Sequence, residues 1–298
     1  MSQTNMKFIG VSTSSSSIMK IFPAWNKILG INASISGIDI PLNANPDSYI
    51  SAINQMVNDS KCRGALVTTH KLALYQHAKS LFQEFDDFAD TCREVSCVKI
   101  KNGKVSGFAK DPISAGLAIK DFLPNDFFDS QNEVLLIGDG GAAIAIAWYL
   151  SSLPRPPAKI HILGKDQSRL DNLFKVISKR VPQIEVSISK PEVIKTIAQS
   201  GKALLIINAT GMGKDLPGSP WPNELAFPKN SYLWELNYRG SLEFYHQGKS
   251  QEKAQQLTVV DGWDYFIYGW TLVISEVFDL EIDSKILTEL KAQALINR

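Results

Sequence analysis

The chain predicts an α/β fold with two domains: an N-terminal α/β domain, then a doubly wound parallel sheet, with a ligand cleft between them. Two observations carry this prediction. Short apolar runs alternate with helix-period stretches over the first 110 residues, and the alternation restarts at Val134. At the restart, Val134-Leu135-Leu136-Ile137-Gly138-Asp139-Gly140-Gly141-Ala142-Ala143 reads as a buried strand running through a glycine turn into a helix.

The residues of that turn have a physical reason. Gly138 permits a tight turn, and Gly140 and Gly141 remove side chains where a backbone must approach a ligand closely. Ala142, Ala143, Ala145 and Ala147 then open a helix, whose free N–H groups and positive dipole end suit a phosphate. The spacing departs from G-x-G-x-x-G, but a strand before and a helix after are what a dinucleotide fingerprint requires. Gly138, Asp139, Gly140, Gly141 and Ala142 are therefore candidate cofactor-binding residues.

The other elements follow in order. Residues 7–11 form a first strand that ends at Ser14-Ser15-Ser16-Ser17. Residues 18–29 carry helical periodicity, with Pro23 either interrupting it or marking a new first turn. A strand over 33–40, a helix over 46–58 with Pro46 near its start, a strand over 64–68 and a helix over 72–85 come next. Residues 98–105 contain Asn102-Gly103, a strong hairpin signal. A helix over 113–122 leads from one domain into the other. After Val134 the helix runs to Ser152, and strands are expected over 159–163, 183–186, 203–208, 233–236 and 257–260. Final helices span 265–278 and 284–295. The first unit has too few helices of its own to cover its sheet, so these pack back on it. The expected domains are 1–112 completed by 262–298, and 113–261.

Composition narrows the partners. A 44% hydrophobic and 20% charged chain with net charge +1 gives no electrostatic case for nucleic acid or an anionic membrane. Its 3 cysteines are too few and irregular for a disulfide framework or a zinc site, and no His/Asp/Glu spacing suggests a metal. The polar start, Met1-Ser2-Gln3-Thr4-Asn5, offers no signal peptide. The expectation is a cytoplasmic protein, monomer or homodimer, whose partner is a small-molecule substrate.

Several segments in order resemble the shikimate and quinate dehydrogenase family. The serine-rich motif after the first strand has its counterpart in Ser14–Ser17, and G-x-N-V-T-x-P-x-K in Gly64-Ala65-Leu66-Val67-Thr68-Thr69-His70-Lys71. G-K-L-x-G-x-N-T-D matches Gly103-Lys104-Val105-Ser106-Gly107-Phe108-Ala109-Lys110-Asp111, and G-A-G-G-A matches Gly138–Ala142. N-A-T-x-x-G-M is similar to Asn208-Ala209-Thr210-Gly211-Met212-Gly213.

The resemblance implies that Lys71 and Asp111 are the catalytic pair, handling the hydroxyl proton as a hydride leaves or reaches the carbon. It implies that Ser16 and Ser17, with Ser15 next, bind the substrate carboxylate, with Thr68 adding a hydroxyl. It further implies cofactor contacts at Asn208, Thr210, Gly211 and Met212, and a substrate-orienting role for Tyr238. Tyr265, like Trp263 and Trp270, either lines the pocket or packs in the core. His70, next to Lys71, is either a substrate contact or a structural loop residue.

Departures from the family pattern bear on substrate and cofactor. The Gly64–Lys71 segment is a residue shorter and lacks the family's proline. Leu66, Ser96, Cys97, Ala109 and Gly269 stand where the family has hydrogen-bonding side chains, which implies that shikimate and quinate are poor substrates. Where phosphate-binding relatives carry N-R-T, this chain has Gly164-Lys165-Asp166. Lys165 favours NADP and Asp166 favours NAD; the cofactor is NADP or NAD, with the balance slightly toward NADP. The implied function is a hydride transfer between NAD(P) and a carbocyclic hydroxy acid or related polyol or keto compound. A silent nucleotide-binding regulator, or another hydride transfer such as methylene-folate oxidation, stays open.

Overall fold

A computed structural model describes residues 3–178 and 184–298. The chain divides into two units, Met1–Lys110 with Ile267–Arg298, and Asp111–Phe266.

The first unit is built on a 6-stranded mixed sheet of order β2-β1-β3-β5-β6-β4. Strand β1 (Thr4–Gly10) lies parallel to β2 (Ala33–Asp39) and to β3 (Cys62–Val67). Strand β4 is the short Glu84–Phe85, and β5 (Cys97–Lys101) and β6 (Lys104–Phe108) form the expected hairpin. Asn102 and Gly103 both take positive φ, 53° and 76°, as a two-residue turn matched to the strand twist requires.

Both faces of this sheet are covered. Successive residues Phe8 and Ile9 point to opposite sides. Ile9 joins Tyr49, Ile53 and Met56 of α2 (Pro46–Asn58) and Leu74 of α3 (Lys71–Ala78) in one core. Phe8 meets the edge of Trp270, 5.1 Å away, in α10 (Trp263–Phe278). Trp25 of α1 (Ile18–Leu29) donates its indole N–H to the carbonyl of Leu290 in α11 (Ser284–Leu295) at 3.0 Å. The C-terminal helices thus complete the first unit's layer.

Two expectations about helices are corrected. Pro23 neither breaks α1 nor restarts it: the helix runs through, because Ile18, Ile21, Phe22 and Trp25 bury one stripe and outweigh the backbone hydrogen bond that proline cannot donate. The helix expected over 72–85 ends at Ala78. A 3-10 turn and β4 follow, because Phe82 and Phe85 stack on each other as part of the core. A short helix, α4 (Asp87–Cys92), then starts at Asp86, whose carboxylate caps it through the Ala89 N–H at 2.7 Å.

The second unit opens with α5 (Asp111–Phe122). Its 6-stranded sheet is wholly parallel, in the order β12-β11-β10-β7-β8-β9. The strands are β7 (Glu133–Ile137), β8 (Ile160–Gly164), β9 (Ile184–Ile188), β10 (Leu204–Asn208), β11 (Tyr232–Glu235) and β12 (Thr258–Val260). Gln183, expected to begin the third of these strands, lies outside the described residues. Counted from β7, the spatial order is 3-2-1-4-5-6, the doubly wound arrangement, and it reverses between β7 and β10. Every residue of β7, β8 and β10 is buried, as strands covered on both faces require. Helices α6 (Gly141–Ser151), α7 (Gln167–Ile177), α8 (Pro191–Ala198) and α9 (Glu243–Gln255) connect the strands. Among the described residues, no helix is long and apolar enough to cross a membrane, and no group of metal-ligating side chains is found.

Candidate active site

In the first unit, the parallel pairing of β1 with β3 puts the chain segments that follow them side by side. Thr68 leaves β3 with its N–H on the Ile9 carbonyl at 2.9 Å and its hydroxyl directed at the same oxygen at 3.4 Å. The serine segment is a shaped turn. Thr13 donates its N–H and its hydroxyl to Asp39 Oδ1, at 2.9 and 2.6 Å, and Thr13–Ser15 coil as a 3-10 turn. Ser16 is buried and Ser17 stands at the start of α1 without capping it through its hydroxyl, whereas Ser14 and Ser15 are exposed. Thr68, Ser16 and Ser17 therefore belong to one end of adjacent strands.

Lys71 is the first residue of α3, and its carbonyl accepts from Val95 N–H at 3.1 Å. The shortened segment before it closes as a tight turn, with Thr69 at φ 21° and the His70 N–H donating to the Thr68 carbonyl. His70 secures that turn. It is buried, with Nε2 2.7 Å from the Ile40 carbonyl and Nδ1 3.3 Å from the Tyr49 hydroxyl. With Nε2 donating and Nδ1 accepting, the ring is neutral, and burial holds its pKa below the usual histidine range. His70 is a structural anchor for the lysine loop.

The positions that depart from the family pattern lack outward hydrogen-bonding capacity. Leu66, Cys97 and Ala109 are buried, and Ser96 Oγ accepts from Lys110 N–H at 2.7 Å. Gly269 faces open space.

In the second unit the glycine turn and the segment after β10 adjoin each other across the point where strand order reverses. Ala209 N–H donates to the Ile137 carbonyl at 2.8 Å. Gly138, at φ 147°, has the Ala209 carbonyl where a Cβ would stand, only 2.6 Å from it, so no side chain fits. Gly140 caps α6 without a side-chain bond, and a Cβ there would meet nothing within 4 Å. An uncapped 11-residue helix start facing open space is a cradle that fits a pyrophosphate.

Around this cradle lie most of the other candidates. Asp139 Oδ2 accepts from the backbone N–H groups of Lys165 and Asp166, at 2.8 and 3.0 Å. Asp166 caps α7 through Arg169 N–H at 3.0 Å, and Lys165 is exposed, its Nζ 3.9 Å from the Met212 sulfur. Asn208 Oδ1 accepts from the N–H and hydroxyl of Thr210, and Thr210 Oγ1 accepts from Met212 N–H at 3.1 Å. Gly211 completes the turn at φ 76°.

Sequence reasoning missed the group beneath this loop. Glu235, fully buried at the end of β11, accepts from Asn208 Nδ2 at 2.7 Å and from Asn237 N–H at 2.8 Å. The side-chain amides of Asn208 and Asn237 both donate to the Met212 carbonyl, at 3.3 and 2.9 Å. Burial pushes the Glu235 carboxyl up to about 7, against the opposing effect of these hydrogen bonds. The signal available in the sequence was a lone acidic residue inside an apolar strand.

Asp111 and Tyr265 are brought together. Asp111 is the buried first residue of α5, and the Tyr265 phenol donates to its Oδ2 at 3.1 Å. The Tyr265 ring meets Trp234 edge-on at 5.5 Å. Tyr238 packs at 4.3 Å from Phe266 and 5.6 Å from Trp263, in an aromatic cluster.

Comparison with solved structures finds this architecture over the whole chain. Quinate dehydrogenase from Corynebacterium glutamicum, in complex with NAD, superposes with a TM-score of 0.76 over 99% of this chain and 100% of that one, at 19% identity. The fold is that of the shikimate and quinate dehydrogenases. A shikimate dehydrogenase in complex with NADP+ matches equally, with a TM-score of 0.76 and 20% identity over 99% of this chain and 95% of that one. The 5-ketofructose reductase of a Gluconobacter strain matches with a TM-score of 0.70 and 19% identity, over 98% and 99% of the two chains. In sequence, the chain is 23% identical over 208 residues to the NADP(+) shikimate dehydrogenase of Bacillus cereus, covering 70% of this chain and 69% of that protein. It is 26% identical over 167 residues to that of Crocosphaera subtropica, where the match spans 55% of this chain and 56% of the relative. No family model matches the chain.

Proposed function

We propose that this protein is an NAD(P)-dependent oxidoreductase acting on the CH–OH group of a carbocyclic hydroxy acid, or of a related cyclic polyol or keto compound. The observation that carries the reading is the open cradle at Gly140, at the reversal point of a dehydrogenase fold. The second unit holds the dinucleotide, through Gly138, Asp139, Gly140, Gly141 and Ala142, with Lys165 and Asp166 at the ribose end and the Asn208–Met212 turn alongside. The first unit holds the substrate. The bound nicotinamide supplies or takes the hydride.

The chain's own residues handle the proton and the substrate's orientation. Lys71, fixed at the start of α3 by the His70 anchor, takes the hydroxyl proton as the carbonyl forms and returns it in reduction. Asp111 is the acidic member of the proton-handling pair, and the phenol of Tyr265 keeps one of its oxygens in place. Ser16 and Ser17 donate to the substrate's carboxylate, Thr68 adds a hydroxyl, and Tyr238 orients the ring near the nicotinamide. With Leu66, Cys97 and Ala109 buried and apolar, a less hydroxylated ring than shikimate is the preferred substrate.

The test follows nicotinamide absorbance across a panel of cyclic polyols and hydroxy acids, with wild type and Lys71→Ala. Turnover falls by roughly two to four orders of magnitude in the variant while dinucleotide affinity holds. An equal loss of dinucleotide binding would make Lys71 structural. Tight dinucleotide binding with no turnover on any member of the panel would favour a silent binding protein.

A further inference from the structure

Asp139 does something that its place in a glycine turn does not require. Its carboxylate reaches to the end of β8, where Oδ2 accepts from two backbone amides, Lys165 and Asp166, and Oδ1 lies 3.6 Å from Arg169 Nη1. Gly164 makes the approach possible, since a Cβ there would fall 2.7 Å from Asp139 Cβ. The Asp139 side chain is only 15% exposed. Asp166 in turn places its own carboxylate on the first turn of α7. The donors that an anion would seek at this spot are two amides, a guanidinium and a helix start. The amides and the helix start already answer to carboxylates of the chain itself, and the exposed guanidinium is drawn toward one of them, 3.6 Å away.

The end of the second strand of a doubly wound sheet is where the adenosine ribose is read. We propose that Asp139 makes the nucleotide site selective for a dinucleotide with free ribose hydroxyls, NAD, over its 2′-phosphorylated counterpart, NADP. This rests on the oxidoreductase reading above and narrows it. A 2′-phosphate brings up to about two negative charges beside a carboxylate that is held in place by its own hydrogen bonds. A free ribose hydroxyl instead donates to that carboxylate. Lys165 and Arg169 pull the other way, but both are exposed cations on flexible stems, and solvent and salt screen them. A fixed, shielded carboxylate beside a fixed phosphate outweighs mobile, hydrated cations.

The experiment is calorimetric titration of the full chain with NAD+ and with NADP+, for wild type, Asp139→Asn and Asp139→Ala, with circular dichroism confirming each fold. Wild type binds NAD+ at least about tenfold more tightly than NADP+, the effect expected of one partly shielded like charge. Asp139→Asn keeps an oxygen for the amides and loses the charge, so the ratio narrows by about tenfold. Asp139→Ala frees the amides and Arg169, and narrows it at least as far. The inference is overturned if wild type binds NADP+ as tightly as NAD+, or if both folded variants keep the wild-type ratio. Failure of wild type to bind either dinucleotide would overturn the oxidoreductase reading itself, a result distinct from a wrong ratio.

Discussion

Replacing Glu235 by glutamine removes a buried acid whose ionisation the fold resists. Its carboxyl stands at about 7 in the folded chain against an ordinary 4.5, burial being the main cause. The folded state therefore holds a proton that the unfolded state has already released between those two values, so stability falls as pH rises through that window. A shift of that size corresponds to about 3 kcal/mol, all of it lost by pH 8. The glutamine side chain does not titrate. It also offers one acceptor to two N–H groups, from Asn208 and Asn237, where the ionised carboxylate offers two, a loss of about 1–3 kcal/mol against that form alone. Urea unfolding followed by circular dichroism, from pH 4.5 to 8.5, would show Glu235→Gln gaining about 3 kcal/mol on wild type across the range, whatever the offset at its acid end. Parallel profiles, within about 0.5 kcal/mol throughout, would mean that Glu235 ionises as freely in the fold as in the unfolded chain.

Two further outcomes are expected. Gly140→Val leaves the fold intact, since a Cβ there meets no protein atom, but abolishes dinucleotide binding by calorimetry; a folded variant that still bound tightly would remove the turn from the site. Tyr265→Phe deletes the hydrogen bond to Asp111 while keeping the ring on Trp234, so kcat falls by about tenfold with dinucleotide affinity unchanged; an unaltered kcat would show that Asp111 needs no support.

What was legible in the sequence is what periodicity and backbone chemistry write locally. The span of α2, with Pro46 near its start, and the span of α11 were read to the residue, although the Asn45 cap was not. The Asn102-Gly103 hairpin and the β7–turn–α6 unit were equally plain, because each depends on residues with few alternatives. Elements stabilised by distant partners were not. Helix α9 buries only Phe244 and Gly248, so it carries no apolar stripe to find. Strand β4 is two residues held by pairing with β6. At the candidate site, the glycine turn could be named from its own letters, whereas the Asp139 contact with the end of β8 joins residues 26 and 27 positions apart. The link from Tyr265 to Asp111 crosses 154 positions. No local pattern encodes either.

The hydrogen bond from Trp25 to the Leu290 carbonyl crosses 265 positions and so imposes an order on synthesis. A nascent chain that has emerged from the ribosome as far as Lys110 has Trp25 available but not the Leu290 carbonyl it donates to. The unit from Asp111 to Phe266 is continuous and can close while that contact waits. The first unit to be translated is then the last to be finished, and during the interval α1 lacks its neighbour α11. The surface that α11 covers stays open until that helix emerges, a consequence of building one unit from two separated stretches of sequence.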